Sequence, residues 1–389
     1  MKRLLVVTLA LFWGLVSQAL AAGGSSDMLP GGAVFGIWDC RNGHSTGMAI
    51  QNVKDYPVGV HIVIYDNCSH EIMNFTVPLS AHDIWGGTIS CQGGEILVEA
   101  LTSHFEGPNN GSETRRAPRV SDYGYVVAAV TQVGTNRTIE RGIGGTALVT
   151  ACDNGAGGGA AHCSDDDPRN DFNWRNEIVR MPNAIILRTV IGNLSSGVAM
   201  ALNGISLVDF INLGNLVGCA DDENGIIVNL PELVAFSSNL QIADGRPALG
   251  SANDIYWASF NQACYQTSLF LVFPQSGHEC RPDIEISVNV YDDNQNHTSG
   301  TIHVPEVALL PISTSLVSYD RGFIRLKVMT QHVVPQTTVR GTLPMFGYSI
   351  YEAPGVLESF PIVPEQKVFC LNTGCFLVGS STGPAGTVY

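Results

Sequence analysis

The chain reads as a mostly β protein: two related antiparallel β-sandwich (Ig-like) domains, with a β-rich connecting or inserted segment between them and little helix. Three observations predict this. Apolar residues alternate with small or polar ones over many short runs bounded by Gly, Pro, Asn and Asp, the period of a strand with one buried face. Sustained helical periodicity is scarce. One line is also written twice: VGVHIVIYD, residues 58–66, and IEISVNVYD, residues 284–292, place Val60, Ile62 and Ile64 on the same beats as Ile286, Val288 and Val290.

Taken in order, residues 1–21 read as a cleaved export signal. Lys2 and Arg3 precede the apolar run LLVVTLALFWGLV, and Ala19-Leu20-Ala21 supplies the small residues a signal peptidase needs. The run is about 13 residues, short of the roughly 20 that span a bilayer. The expected location is therefore the medium or the cell surface, with the periplasm as the alternative. After cleavage no transmembrane segment is expected, because Arg188, Asn193, Asn203 and Asp209 interrupt the most apolar later stretch.

The first sandwich is expected over 22–164, where GMAIQN, VGVHIVIYD, MNFTVPLS, GEILVEAL, GYVVAAVTQV and GTALVTA read as strands. Residues 165–260 form the connecting or inserted segment. It opens on the acidic loop DDDPRNDFN and continues through strand-like AIILRTVIG and GVAMALNGISLVDF. A short helix is expected in PELVAFSSNLQIAD, with Pro231 near its start and Gly245 beyond its end. The second sandwich is expected over 261–389, where TSLFLVFP, IEISVNVYDD, GTIHVPEV, GFIRLKVM and GYSIYEA repeat the order of the first five runs. On that reading Tyr65-Asp66 matches Tyr291-Asp292, Val77-Pro78 matches Val304-Pro305, and Gly94 through Val98 matches Gly322 through Leu326.

The set TGMAIQN, VGVHIVIYDN, FTVPLSAHDIWGG, TSLFLVFP, ISVNVYDD, GFIRLKV and GTLPMFGYSIYE resembles a family of exported bacterial β-rich proteins with no assigned activity. The resemblance covers most of the mature chain. It implies bacterial export and a β fold, and brings no catalytic residues with it.

Charge and cysteine usage narrow the partners. The chain carries 20 Lys and Arg against 35 Asp and Glu, a net charge of −15, which loss of Lys2 and Arg3 takes to −17. Such a surface makes nucleic acid a poor partner. All ten cysteines follow the signal, and an even count in an exported chain predicts disulfides. Three close pairs suggest themselves: Cys152 with Cys163, Cys264 with Cys280, and Cys370 with Cys375. Cys40, Cys68, Cys91 and Cys219 remain for two longer bridges of undetermined pairing.

No catalytic constellation is present. HEIMN, residues 70–74, has Asn74 where a zinc protease needs its second His. GIGGTA leads into LVTACD and not into a helix, so it is no dinucleotide fingerprint. No G-x-S-x-G elbow occurs. Trp85, before Gly86 and Gly87, could stack on a sugar, but capping the core is the better expectation for so large a ring; Trp257 raises the same question. No cofactor is expected, with Ca2+ as the one cation the sequence suggests. Asp165, Asp167 and Asp171 in one loop, and Asp292 and Asn294 in another, gather the oxygen ligands that ion takes. Acidic loops also form without an ion, because Asp and Asn favour turn geometry.

The expectation is thus an exported, non-enzymatic β protein with a structural, surface, matrix or binding role and a cell-surface, matrix or self-association partner. The alternative is a secreted hydrolase acting on polysaccharide, with Trp85 or Trp257 in a cleft between paired carboxylates.

Overall fold

A computed structural model describes residues 23–25, 29–102, 114–133, 138–141, 145–148, 178–180, 183–193, 197–208, 211–213, 256–274, 280–312, 319–333, 340–362, 367–371 and 374–378. The expected signal at 1–21, the acidic loop 165–171 and the expected helix at 231–244 lie outside these residues.

The first half contains β1 (Gly23–Ser25), β2 (Ala33–Asp39), β3 (Ser45–Asn52), β4 (Val58–Tyr65), β5 (Glu71–Leu79), β6 (Ile84–Gln92), β7 (Glu95–Ala100), β8 (Thr114–Pro118) and β9 (Tyr123–Val133). The middle adds β10 (Thr138–Arg141), β11 (Gly145–Leu148), β12 (Ile178–Arg180), β13 (Ile185–Asn193), β14 (Val198–Asn203), β15 (Ile205–Val208) and β16 (Ile211–Leu213). The last part contributes β17 (Tyr256–Asn261), β18 (Gln266–Val272), β19 (Ile284–Asp292), β20 (His297–Val304), β21 (Val307–Pro311) and β22 (Arg321–Val328). It closes with β23 (Gln331–Val333), β24 (Arg340–Thr342), β25 (Phe346–Ala353), β26 (Val356–Ile362), β27 (Lys367–Leu371) and β28 (Gly374–Val378).

The mostly β reading holds, and the strands form two sandwiches with one plan. In the first, a sheet ordered β1-β15-β2-β9-β4-β5 faces a sheet ordered β14-β13-β3-β6-β7-β8. In the second, β17-β22-β19-β20 faces β26-β25-β18-β21. Matching β2-β9-β4-β5 to β17-β22-β19-β20 also matches β14-β13-β3-β6 to β26-β25-β18-β21, so every shared strand keeps its neighbours. All pairings in the four sheets are antiparallel. In both sandwiches the second strand pairs with the fifth and the third with the sixth. The first strand lies beside the sixth and not beside the second.

The repeat extends to single atoms. Asp66 and Asp292 each open the hairpin turn after the third strand. Asp66 Oδ1 accepts from the backbone N–H of Cys68 and His70, and Asp292 Oδ1 accepts from those of Asn294 and Asn296. Ser69 and Gln295, at the same turn position, both have positive φ, 57° and 66°.

Three of the expected correspondences need correction. Val60 pairs with Val77 and Ile286 with Ile302, so Val77 answers to Ile302 and not to Val304. Pro78 sits inside edge strand β5, opposite Gly59, whereas Pro305 lies beyond the end of β20. The run beginning at Gly322 matches β9, with Gly322 on Gly124, and not β7. Among the described residues the hairpin β7–β8 has no counterpart in the second sandwich. GYSIYEA, in β25, therefore answers to β13.

The boundaries shift as well. Residues 185–208, expected in the connecting segment, complete the first sandwich: β13 pairs with β3, and β15 with β2. Among the described residues the second sandwich begins with β17 at Tyr256.

Each sandwich has its own core. Val58, Val60, Ile62 and Ile64 enter one with Trp38, Phe75 and Trp85; Ile284, Ile286, Val288 and Val290 enter the other with Tyr256, Phe260 and Leu326. A third core, unforeseen from the alternation, joins the halves. Phe35, Val63, Tyr65 and Tyr125 on the far side of the β2-β9-β4 sheet pack against Phe270, Val272, Phe346 and Tyr348 of the β18-β25 sheet. Phe35 lies 5.3 Å from Phe346 and Tyr123 lies 5.7 Å from Phe270, ring centre to ring centre. The sheets therefore stack in four layers, and β2 and β4 are buried along their whole length. A strand covered on both faces carries apolar residues on both, as VVAAV in β9 does.

Further ties cross this junction. The Tyr348 hydroxyl, whose ionisation burial pushes up, donates to the Asn203 carbonyl at 2.9 Å. Cys68 is bonded to Cys280.

Candidate functional site

The cysteines are the first place where expectation and structure separate. Cys280 pairs with Cys68 and not with Cys264, because the turn that opens at Asp66 is brought against the start of β19 when the halves stack. Cys40 pairs with Cys91, joining the end of β2 to β6 across the first core. Cys264 is exposed and has no disulfide partner among the described residues. Cys370 stands directly opposite Cys375 in the β27–β28 hairpin. Cys152, Cys163 and Cys219 lie outside the described residues.

The acidic loops divide in the same way. Asp165, Asp167 and Asp171 lie outside the described residues. At the other loop, both oxygens of Asp292 accept hydrogen bonds from the turn they begin: Oδ1 from two backbone N–H groups, Oδ2 from Asn296 Nδ2 at 2.7 Å. The Asn296 amide, above all, holds this carboxyl below the usual carboxylate range. Asp293 is paired with Arg321, and Asn294 turns its amide toward Asp293. Turn geometry accounts for the acids of DDNQN. Among the described residues, Asp66, Cys68 and His70 form a cluster of metal-ligating types, but Cys68 is committed to its disulfide.

The two tryptophans have opposite fates. Trp85 is 0% exposed and packs in the first core, 5.6 Å from Phe75. Its ring lies over Gly87, two residues on along the same face of β6, where any Cβ would overlap it. The W-G-G run is a packing device. Trp257, by contrast, is 42% exposed on the outer face of the β17-β22-β19-β20 sheet, the last layer of the stack.

That face collects rings. Alternation in β17, β19 and β22 sends Tyr256, Val290 and Ile324 inward, and Trp257, Tyr291 and Phe323 outward. Phe323 is 56% exposed and sits opposite Tyr291, which sits opposite His297. Trp257 reaches across β22 to within 6.2 Å of the Tyr291 ring, and Tyr291 lies 5.1 Å from the His297 ring. Asn289 Oδ1 and His297 Nε2 are 3.2 Å apart. Arg325, between Trp257 and Asn289 in the register, has no ion pair among the described residues, and its Nε is buried without a hydrogen-bond partner.

No family model and no curated protein matches the chain. Among solved structures it is similar to the formate complex of Lactobacillus farciminis oxalate decarboxylase, at 9% identity and a TM-score of 0.16, over 84% of this chain and 74% of that one. It is also similar to oxalate decarboxylase from Bacillus subtilis, at 7% identity and a TM-score of 0.17, over 86% and 68%. Likenesses this faint carry no argument about fold or function, so the outer face is read from its own chemistry.

Exposed aromatic rings beside a guanidinium that has no ion pair among the described residues can stack a ligand and attract its negative charge. The residues of β22 that flank Trp257 are Phe323, Arg325 and Lys327, none of them a carboxylate. The first and second rows of this face were hidden in the sequence, because Phe323 and Tyr291 look like ordinary strand residues until the register joins them.

Proposed function

We propose that the protein is an exported, non-enzymatic β protein that binds a component of the cell surface or its matrix through the outer face of the second sandwich. The observation that carries this reading is the exposure of Trp257 and Phe323 on one sheet face beside Arg325, which forms no ion pair among the described residues. Monomers rarely leave such rings grouped in water without a use for them. The fused halves suit a binding role, since a face built on a buried double sandwich needs little ordering on contact. Export is supported by residues 1–21 and by two disulfides, and no helix among the described residues is long and apolar enough to cross a membrane.

The test is fractionation of the native host expressing either the natural chain or the double variant Trp257→Ala/Phe323→Ala. The natural chain should be retained with the cell-surface or matrix fraction, and the variant should be released while melting as before. Equal retention of the two would overturn the reading.

A further inference from the structure

We infer that the ligand of this face is a carboxylate-bearing polysaccharide, a polyuronate in chemical class; this rests on the binding role just proposed. Three features of the face select it. Trp257, Phe323 and Tyr291 present rings side by side, and the C–H faces of pyranose rings stack on such surfaces. Hydroxyl and amide groups lie beside them in register: Asn289 and Ser299 continue the row of Trp257 and Arg325, and Ser287 and Thr301 continue that of Lys327. These can meet the equatorial hydroxyls of a sugar, as the few placed polar groups of a ligand site do.

The third feature is charge. Arg325 and Lys327 stand on adjacent outward positions of β22 and form no ion pair among the described residues, in a chain whose formal net charge is −15. A guanidinium is suited to a carboxylate, which it can meet with two parallel hydrogen bonds. Two cations are too few for duplex nucleic acid, which carries a charge every ~1.7 Å and would be repelled by the rest of the surface. A polyuronate has one charge per sugar, a spacing nearer to that of the two side chains.

Ser259, in the row of Phe323, has its hydroxyl 2.5 Å from that of Tyr351, which meets Tyr265 and Phe360 edge-on at 6.0 and 5.4 Å. Phe360 is 53% exposed. Tyr351 is itself buried, 6% exposed, so it anchors Ser259 at the end of the face, and the rings open to a sugar are those of Trp257, Tyr291 and Phe323.

The test is affinity electrophoresis of the full mature chain in native gels containing polygalacturonate, with a neutral polymer, hydroxyethylcellulose, and single-stranded DNA in parallel gels. Polygalacturonate should retard the natural chain, more weakly as salt rises, and the other two should not. Trp257→Ala should weaken the retardation about tenfold or more, the scale of one lost stacking contact. Arg325→Gln should weaken it and flatten its salt dependence, and Val120→Ser, on the first sandwich, should change nothing. Equal retardation by the neutral polymer, or retardation by DNA alone, would overturn the polyuronate. If no polymer retards the chain yet Trp257→Ala/Phe323→Ala still releases it from the host's surface fraction, the ligand class is wrong and the binding face stands. If neither effect is seen, both fall.

Discussion

Gly124 and Gly322 hold the same place in the two sandwiches: each lies against the carbonyl of the tyrosine near the end of the third strand, Tyr65 in one and Tyr291 in the other. In the first half the same carbonyl also accepts from Trp38 Nε1 at 2.8 Å, so the backbone must pass close beneath it. A Cβ at either glycine would overlap that oxygen. Gly124→Ala and Gly322→Ala should each destabilise the protein by about 1–3 kcal/mol, the usual cost of overpacking a filled site. Urea denaturation measures it, and full tolerance at both positions would break the equivalence.

The shared core makes the halves one cooperative unit. Phe346 is fully buried between Phe35 and Tyr125. Its replacement by Ala should cost about 3–5 kcal/mol and lower a single unfolding transition. Two separate transitions, only one of them moved, would show that the sandwiches are stable apart.

The bridge between Cys68 and Cys280 closes a loop with a sequence separation of 212. Non-reducing peptide mapping should link these two cysteines, and Cys40 to Cys91. The double variant Cys68→Ser/Cys280→Ser should lose about 2–5 kcal/mol. A Cys264–Cys280 peptide would contradict the stacking of the halves.

Acid should act on the second hairpin through Asp292. Its folded pKa lies below the unfolded value of about 3.9, so its contribution is fully present above that value and is lost as pH falls through the folded one. Asp292→Asn can keep the turn's acceptor but cannot titrate. The variant should therefore show a shallower loss of stability below about pH 4, followed by thermal melting across the acid range. An unchanged acid limb would mean the turn does not use the charge.

Much of this fold was legible because alternation has one physical cause, burial of a single strand face. Ile286, Val288 and Val290 announced their core in that way, and the repeated Tyr-Asp announced the turn. The Val-Pro match misled because such pairs recur at strand ends by chance, and only backbone register shows that Pro78 lies within β5. The third core was readable in principle. Val63 and Tyr65 occupy the beats that a solvent-facing strand would give to polar residues, and they are buried. The outer aromatic face was less accessible, since it joins Trp257, Tyr291 and Phe323 from three strands that only the fold brings together. Trp85 was foreseen as a core residue; its partner Gly87 needed coordinates.

Hydrogen exchange of the protein, free and saturated with polygalacturonate, tests the central claim about the outer face most directly. Amides of Tyr256–Asn261, Ile284–Asp292 and Arg321–Val328 should gain protection, while those of the first sandwich's outer sheet should not change. Protection confined to the first sandwich, or none in these three strands while the polymer is bound, would contradict the assignment of this face.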